Sequence, residues 1–193
     1  SAHHALYQYQ DAIRDYDRAI ELKPDFADSY NNRAQAYTEL GQHKEAIQDY
    51  DQAIKLDPDD EVIYYSNRGS AYHALYQYQD AIRDYDRAIE LDPGYARAYN
   101  NRANSYRQIG QYKEAIQDYG QAIQLSPDDE VIHYNLGLSY EELGQYQDAI
   151  RGFDGAIELN PDYTNAYQER GSSYHNLGQY QYAILDFDKA IQL

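Results

Sequence analysis

The sequence has no cysteine, no methionine and no tryptophan among its 193 residues. Without cysteine it has no disulfides, no thiolate metal ligands and no cysteine nucleophile. It also has no apolar run of about 18 residues, the length that a membrane-spanning helix needs, and its first residues show no signal-peptide pattern. We therefore expect no membrane partner and favour a cytoplasmic location. Because no initiator methionine is present, we expect the sequence to be part of a longer protein.

Positive charge is scarce as well. Lysine and arginine together number 16, against 33 aspartates and glutamates, and the net charge is −17. Such a surface repels the phosphate backbones of DNA and RNA, so no nucleic-acid partner is expected. Large aliphatic residues are also few, but 25 tyrosines and many alanines take their place. Because a tyrosine can bury its ring and keep its hydroxyl at a wet edge, the predicted core is tyrosine packed against alanine.

The five prolines are evenly spaced, at Pro24, Pro58, Pro93, Pro127 and Pro161. Their intervals of 34, 35, 34 and 34 residues indicate tandem copies of one pattern. The segment YQYQDAIRDYDRAIEL moreover occurs twice, at 7–22 and at 76–91. We therefore predict a single array over 1–193, with copies at 1–26 (partial), 27–60, 62–95, 96–129, 130–163 and 164–193.

Each copy predicts a pair of helices. In the copy at 27–60, Ala46, Tyr50 and Ala53 recur at the i, i+4, i+7 spacing of one helical stripe. Between the two helices, where a chain reversal favours a positive φ, most copies have a glycine. These glycines are Gly41, Gly110, Gly144 and Gly178.

The pattern resembles the tetratricopeptide repeat family. That family has an aromatic residue, a large and a small residue, a second aromatic, an alanine, an aromatic four positions on, a second alanine and a closing proline. The copy at 27–60 has these features as Tyr30, Arg33, Ala34, Tyr37, Ala46, Tyr50, Ala53 and Pro58. The resemblance implies an all-α fold, a right-handed α-solenoid of stacked antiparallel helix pairs with five motifs plus a truncated N-terminal one. It also implies that the first helix of each pair lines a concave groove that binds proteins.

Two features depart from the pattern. Tyr7 and Tyr76 stand where the other copies have the glycine between the helices, and a left-handed tyrosine there costs on the order of 1 kcal/mol. In addition, the first copy lacks the start of its pattern, and the sequence stops at Leu193 without a polar capping helix. Both ends of the array are therefore expected to be adhesive.

A charged pair recurs across the copies. In four of them arginine occupies the large position of the first helix, and aspartate follows sixteen residues later in the second helix. The pairs are Arg33 with Asp49, Arg68 with Asp84, Arg102 with Asp118 and Arg170 with Asp186. One copy has Leu136 and Gly152 in their place. We interpret the pattern as an ion pair that ties the two helices of a copy and was lost once as a unit; coincidence is the alternative.

No group of residues predicts catalysis. The six histidines are scattered, and the adjacent His3 and His4 lack the i, i+4 spacing of a helical metal site. The sequence has no glycine-rich phosphate loop and no serine nucleophile turn. We therefore predict a protein that is not an enzyme and has no metal or other cofactor.

Candidate binding residues lie where the family places its groove, on the first helices. An asparagine recurs at one position of four copies, and an amide that both donates and accepts can hold a peptide backbone; mere tolerance of asparagine on a wet face is the alternative. Arg97 and Arg107, beside an apolar stripe that includes Tyr134, predict an anchor for a peptide side chain, although the stripe could instead pack against neighbouring helices. The predicted groove residues are Asn32, Asn67, Arg97, Asn100, Asn101, Asn104, Arg107, Val131, Tyr134, Asn135 and Leu138.

These observations predict a protein-interaction scaffold that holds an extended peptide of a partner protein. Acidic residues around the two groove arginines, among them Asp28, Glu39 and Glu169, predict a ligand with basic flanks. The alternative is a structural module whose uncapped ends stack on other copies of the chain and build a homo-oligomer.

Overall fold

A computed structural model describes residues 2–57 and 61–193 of the chain, with side chains for 8–57 and 62–193. All regular secondary structure in this part is α-helical. The helices are α1 (Ala2–Leu22), α2 (Ala27–Glu39), α3 (His43–Leu56), α4 (Glu61–Ala74), α5 (Tyr78–Leu91), α6 (Ala96–Gln108), α7 (Tyr112–Leu125), α8 (Glu130–Glu142), α9 (Tyr146–Leu159), α10 (Thr164–Asn176) and α11 (Tyr180–Gln192). From α2 onward they alternate between first and second helices of the predicted copies, and α1 is a second helix. Pro58, the predicted end of one copy, lies outside the described residues.

The chain divides into two compact units, Ser1–Ala98 and Tyr99–Leu193. In the first unit, α1 to α5 pack in order, each helix against the next, and α2 also contacts α4. In the second unit, α7 to α11 pack in the same way, α8 also contacts α10, and the part of α6 that belongs to this unit packs on α7. Each unit is thus a stack of antiparallel helix pairs, and the predicted all-α fold class is confirmed.

The core of each unit is tyrosine packed on alanine, as predicted. In the first unit, Tyr50 is 2% exposed and shares a cluster with Ala34, Ala46 and Ala71. Ala34 lies in the first helix of the same pair and Ala71 in the first helix of the next pair, so one ring joins two repeats. In the second unit, Tyr119 has the same role in a cluster of buried alanines.

Glycine replaces alanine where a ring of the second helix rests on the backbone of the first. A Cβ atom at Gly69 would lie 2.8 Å from the ring of Tyr85, and one at Gly137 would lie 2.6 Å from the ring of Phe153. Both distances are too short for a methyl group in a close-packed interior. The small residue of the repeat pattern therefore makes room for the aromatic residue of the second helix.

The residue between the two helices of a pair has a left-handed backbone conformation. The φ angles are 72° at Gly41, 76° at Gly110, 70° at Gly144 and 74° at Gly178, and Tyr76 has a φ of 62°. The predicted left-handed tyrosine at position 76 is confirmed. The corresponding prediction for Tyr7 is wrong, because α1 runs from Ala2 to Leu22 without a turn. Residues 2–7 continue the second helix instead of reversing direction.

Replacing Tyr76 with glycine is expected to stabilise the first unit. A left-handed tyrosine costs about 1–2 kcal/mol, and glycine removes this cost. Glycine also gives the unfolded chain more conformational entropy, which lowers stability by about 0.4–1 kcal/mol. The free energy of unfolding should therefore rise by on the order of 0.5–1 kcal/mol. The Tyr76 side chain is 79% exposed, so little packing is lost with its ring. Urea unfolding followed by circular dichroism measures the change.

Gly41→Ala is the matched control for this substitution. A Cβ atom at Gly41 would have no neighbour within 4 Å, so the substitution tests the backbone conformation alone. It should lower the free energy of unfolding by about 1 kcal/mol. Equal stability of Y76G and the parent chain would contradict the assignment of strain to Tyr76.

The predicted ion pairs are present in all four copies. In each, Nε and Nη2 of the arginine donate to the two carboxylate oxygens of the aspartate over 2.6–2.8 Å. The four aspartate side chains are only 8% exposed. Hydrogen bonds to Asp49 raise the pKa of Arg33 above its ordinary value, although burial acts in the opposite direction. The arginines therefore hold their charge and tie the two helices of a pair.

A second aspartate, which the sequence analysis missed, joins three of these arginines to the preceding repeat. Nη1 of the arginine donates to it, and the pairs are Arg33 with Asp17 at 2.5 Å, Arg68 with Asp51 at 2.5 Å and Arg170 with Asp154 at 2.6 Å. Each of these arginines thus links three helices. We call one arginine between two such aspartates an arginine fork.

The copy without the ion pair has lost the second aspartate as well. Gly120, Leu136 and Gly152 occupy the three positions of the fork there. A Cβ atom at Gly152 would lie 2.7 Å from Cα of Gly137, so α9 rests directly on the backbone of α8. Close helix packing takes the place of the ionic link in this copy.

Candidate peptide-binding groove

The first helices α2 and α4 line a recess of about 620 Å³ in the first unit. Three of the predicted groove residues, Asn32, Asn67 and Arg97, contribute to its walls. Asn32 and Asn67 hold the same position in successive first helices, and stacking of the repeats places them along one surface. The structure therefore brings these three predicted residues together.

The recess has aromatic walls that the sequence analysis did not include. Tyr9 and Tyr16 of α1 and Tyr95, which precedes α6, line it. Tyr16 is partly exposed, whereas the equivalent Tyr50 of α3 is only 2% exposed. Among the described residues, no first helix of the same pair covers the ring of Tyr16, as α2 covers the ring of Tyr50. The partial pattern of residues 1–26 was the signal in the sequence for this difference.

The recess carries both signs of charge. The exposed Arg97 supplies a cation and Glu39 an anion, and the amide of Gln35 and the hydroxyl of Ser70 add to its polar walls. The Ser70 oxygen accepts a hydrogen bond of 3.2 Å from the hydroxyl of the core residue Tyr85, which fixes its place. The recess can therefore bond a peptide backbone and bind one acidic and one basic side chain.

The predicted asparagines of the second unit form hydrogen bonds within the protein. Oδ1 of Asn104 accepts from the hydroxyl of Tyr119 at 2.6 Å and from Nδ2 of Asn135 at 3.4 Å. Oδ1 of Asn101 accepts from Nδ2 of Asn100 at 3.4 Å. These bonds hold the amides in place, and Tyr119 ties Asn104 to the core.

Arg107 has an unfilled hydrogen-bond donor. Its Nε atom is buried and has no acceptor among the described residues. Burial raises the pKa of Tyr119 to about 12, and the positive charge of Arg107 acts in the opposite direction. The guanidinium therefore lies near the Tyr119 hydroxyl. A buried donor without an acceptor is uncommon. A ligand carboxylate bound to this guanidinium would supply the missing acceptor.

The residues predicted to anchor a peptide side chain belong to two different units. Arg97 belongs to the first unit, and Arg107 and the apolar stripe belong to the second. The ring of Tyr134 packs inside that unit, with centroid distances of 5.8 Å to Phe153 and 5.1 Å to Tyr163. This is the packing that the sequence analysis gave as its alternative. Of the other two stripe residues, Val131 is 47% exposed and Leu138 is partly exposed.

The first helices of the second unit also carry carboxylates. Oε1 of Glu141 accepts a hydrogen bond of 3.2 Å from the hydroxyl of Ser173. Burial and the negative charges of Glu169 and Glu142 raise the pKa of Glu141. A nearby cation would relieve this destabilised charge.

Among the described residues, no group of three or more histidine, aspartate or glutamate side chains is arranged to hold a metal ion. None of the described helices is both long and apolar enough to cross a membrane.

Sequence profiles of known families match most of the chain. A profile described as tetratricopeptide repeat matches residues 27–60, 62–95 and 131–163, and a second with the same description matches 84–117 and 153–184. A third, described as TPR repeat, matches 1–41 and 103–144. No curated protein sequence matches the chain.

Several solved structures are similar to this chain. A crystal structure of MamA protein is 27% identical, with a TM-score of 0.81 over 86% of this chain and 90% of that one. MamA from Desulfovibrio magneticus RS-1 is 24% identical, with a TM-score of 0.81 over 86% and 94% of the two chains. YrrB, described as a TPR protein with an unusual peptide-binding site, is 22% identical, with a TM-score of 0.78 over 92% and 91% of the two chains.

The tetratricopeptide repeat profile that matches 27–60, 62–95 and 131–163 by itself covers more than half of the residues. The chain therefore belongs to the tetratricopeptide repeat family.

Proposed function

We propose that the protein is a scaffold that binds an extended peptide segment of a partner protein along its first helices. Membership of the tetratricopeptide repeat family and the similar solved structures support a protein-interaction scaffold. Peptide binding is supported chiefly by the recess of the first unit, where Asn32, Asn67 and Arg97 meet tyrosine rings. Its volume of about 620 Å³ lies within the range of roughly 300–1,000 Å³ that is usual for ligand pockets.

The spacing of the asparagines suits an extended backbone. Asn32 and Asn67 lie on α2 and α4, which contact each other. Packed helices lie about 8–10 Å apart, and an extended peptide rises about 3.3 Å per residue. Each asparagine would therefore bond the backbone about three residues from the next, with little dependence on the side chains between them.

The charges predict the composition of the ligand. Arg97 favours an acidic residue and Glu39 a basic one in the first unit, and Arg107 and Glu141 supply the same two charges in the second. The net charge of −17 attracts basic flanks over a longer range and speeds association. We therefore propose a peptide that has at least one acidic residue between basic flanks.

Peptides selected from a random library on the immobilised protein provide the test, with affinities measured by fluorescence anisotropy. Arg97→Glu should weaken binding at least about tenfold, because an attraction to the acidic residue becomes a repulsion. Asn67→Ala should weaken binding about 2–10-fold through the lost backbone hydrogen bonds.

Arg83→Glu is the matched control, because it makes the same change in net charge. Arg83 is an exposed residue of α5 that pairs with Asp80 and is not part of the recess. Its substitution should leave peptide binding unchanged. Equal losses in R83E and R97E would show a dependence on net charge alone, and full binding by R97E and N67A would place the peptide elsewhere; either result would contradict the proposal.

No observation among the described residues specifically favours end-to-end assembly, the alternative function. We therefore propose the peptide-binding scaffold alone.

A further inference from the structure

Among the described helix pairs, only α4 and α5 are joined by a turn without glycine. Tyr76 takes the left-handed position there, with a φ of 62°, whereas the other pairs have Gly41, Gly110, Gly144 and Gly178 at this position. A left-handed conformation is strained for a residue with a side chain, and strain of this kind marks sites where the backbone has a second role. Tyr76 is 79% exposed, so packing of its ring offsets little of the strain.

The sequence around this turn is compatible with a continuous helix. Residues 70–92 contain no glycine or proline, and Ala74 and Leu75 favour helices. The segment that begins at Tyr76 occurs again from Tyr7 onward, and there it is helical throughout, within α1. A helix that ran on from α4 into α5 would place Tyr76 in the right-handed region and remove its strain.

A continuous helix in a single chain would lose the packing of α4 on α5. The buried ring of Tyr85 lies against the backbone of Gly69, where a Cβ atom would be only 2.8 Å from it. Arg68 bonds Asp84 at 2.7 and 2.8 Å across the same pair of helices. Two chains whose long helices lie antiparallel can make all these contacts, because α4 of each chain then packs on α5 of the other.

We propose that two copies of the chain form a domain-swapped dimer, in which the turn at Tyr76 opens and α4 and α5 become one helix from Glu61 to Leu91. The dimer keeps the packing of α4 on α5, now between chains, and it contains no left-handed tyrosine. Association costs translational entropy, so the dimer gains on the monomer as the concentration rises.

The charge at the crossing point permits two such acidic chains to meet. Residues 70–79 contain no lysine, arginine, aspartate or glutamate, although the net charge of the chain is −17. Like charges therefore do not oppose each other where the two long helices cross. In the closed turn the ring of Tyr78 contacts His73 and Tyr76, with centroid distances of 5.1 and 6.2 Å. In the dimer these rings lie at the crossing, where they supply apolar area to the new contact.

The exchange also builds the recess of the first unit from two chains. Asn32 and Asn67 precede the turn, and Arg97 follows it, so each recess takes its asparagines from one chain and Arg97 from the other. The dimer has two recesses, and a partner with two suitable segments gains affinity from both. This consequence rests on the proposed function, whereas the exchange itself does not.

Sedimentation velocity on the full chain, refolded from urea at a series of concentrations, tests the exchange. The parent chain should form a dimer that increases with concentration. Tyr76→Gly should weaken dimerisation at least about tenfold, because glycine relieves the strain of the closed turn and disfavours the continuous helix. Tyr76→Ala is the matched control. It removes the same exposed ring but keeps a strained left-handed residue, so its dimer should persist.

A distance within one chain identifies the exchanged form. The sequence has no cysteine, so Ile63→Cys and Glu90→Cys, both at exposed positions, introduce two unique sites for spin labels. In the closed pair, α4 and α5 lie about 8–10 Å apart, and the labels should be within about 20 Å of each other. In the continuous helix they should be about 40 Å apart. Dilution of the labelled chain into unlabelled chain restricts the electron resonance measurement to distances within one chain.

Three results would overturn the proposal. A chain that stays monomeric at every concentration after refolding would show that no exchange occurs. A dimer that has only the short distance would be held by surface contacts with its turns closed. Equal loss of the dimer in Y76A and Y76G would assign dimerisation to the exposed ring instead of the strained turn. None of these results would affect the proposed function, because R97E and N67A test peptide binding on the monomer.

Discussion

Arg68→Leu is expected to lower the free energy of unfolding of the first unit by about 3–5 kcal/mol. The substitution leaves the carboxylate of Asp84, which is only 8% exposed, without its two hydrogen bonds of 2.7 and 2.8 Å. A buried charge without a partner is among the costliest defects that one substitution can create. Asp51 loses its partner too, but its side chain is 40% exposed, so hydration limits the cost there. Urea unfolding measures the loss.

The double variant R68L/D84A is expected to recover most of this stability. Replacing both partners of a buried ion pair with apolar groups is often close to neutral. The chain already has such an arrangement in the copy with Leu136 and Gly152. Arg83→Leu is the control, because its exposed pair with Asp80 should contribute less than about 1 kcal/mol. A double variant as unstable as the sum of its single substitutions would contradict the coupling.

Raising the pH from 10 to 12 is expected to destabilise the second unit by about 2–3 kcal/mol through Tyr119. Burial raises the pKa of Tyr119 to about 12 in the folded chain, against the opposing charge of Arg107. In the unfolded chain the pKa is about 10. Below pH 10 both states keep the proton, so the full stability is present. Between the two pKa values only the unfolded chain loses its proton, and stability falls as the pH rises.

Urea unfolding at a series of alkaline pH values measures this decline, and Tyr119→Phe is the matched control. The variant loses the 2.6 Å hydrogen bond to Asn104, which should cost about 1 kcal/mol at neutral pH. It keeps the ring, and Phe153, fully buried at the equivalent position, shows that a phenylalanine fits there. Without the titrating hydroxyl, the stability of Y119F should depend less on pH. Parallel pH profiles of the two proteins would contradict the role of Tyr119.

The repeat fold could be predicted because its causes are local and occur several times. The interval between prolines, the alternation of tyrosine and alanine, and the glycine at the turn each repeat, so every copy tests the others. Tyr7 shows where this reasoning fails. Its sequence context is that of Tyr76, which joins the packed helices α4 and α5, but α1 continues through the expected turn. An identical local sequence therefore does not by itself determine the turn.

Half of the arginine fork could be predicted from the sequence. The aspartate of the same repeat follows its arginine at a constant spacing, and its absence beside Leu136 made the pair visible. The aspartate of the preceding repeat is as regular, and Gly120 marks its loss in the same copy. It was missed because its role depends on how two neighbouring helix pairs stack, which the pattern of one copy does not contain.

The groove could be predicted only by position. The sequence placed Asn32, Asn67 and Arg97 on first helices, and the structure brings them to one recess. It did not predict that Tyr134 packs on Phe153 and Tyr163, because the direction of a ring depends on the space that its neighbours leave. The contribution of Tyr16 was missed for the same reason.

The arginine forks also bear on how the protein responds to pulling forces. In the second unit, Arg170 of α10 bonds Asp154 of α9, whereas Gly120 and Leu136 provide no such ionic link between α7 and α8. Apolar contacts are not directional, so they resist the displacement of one helix along another less than a short ionic hydrogen bond does. Under tension we expect this unit to separate first between α7 and α8, so that the residues at positions 120 and 136 decide where the stack yields.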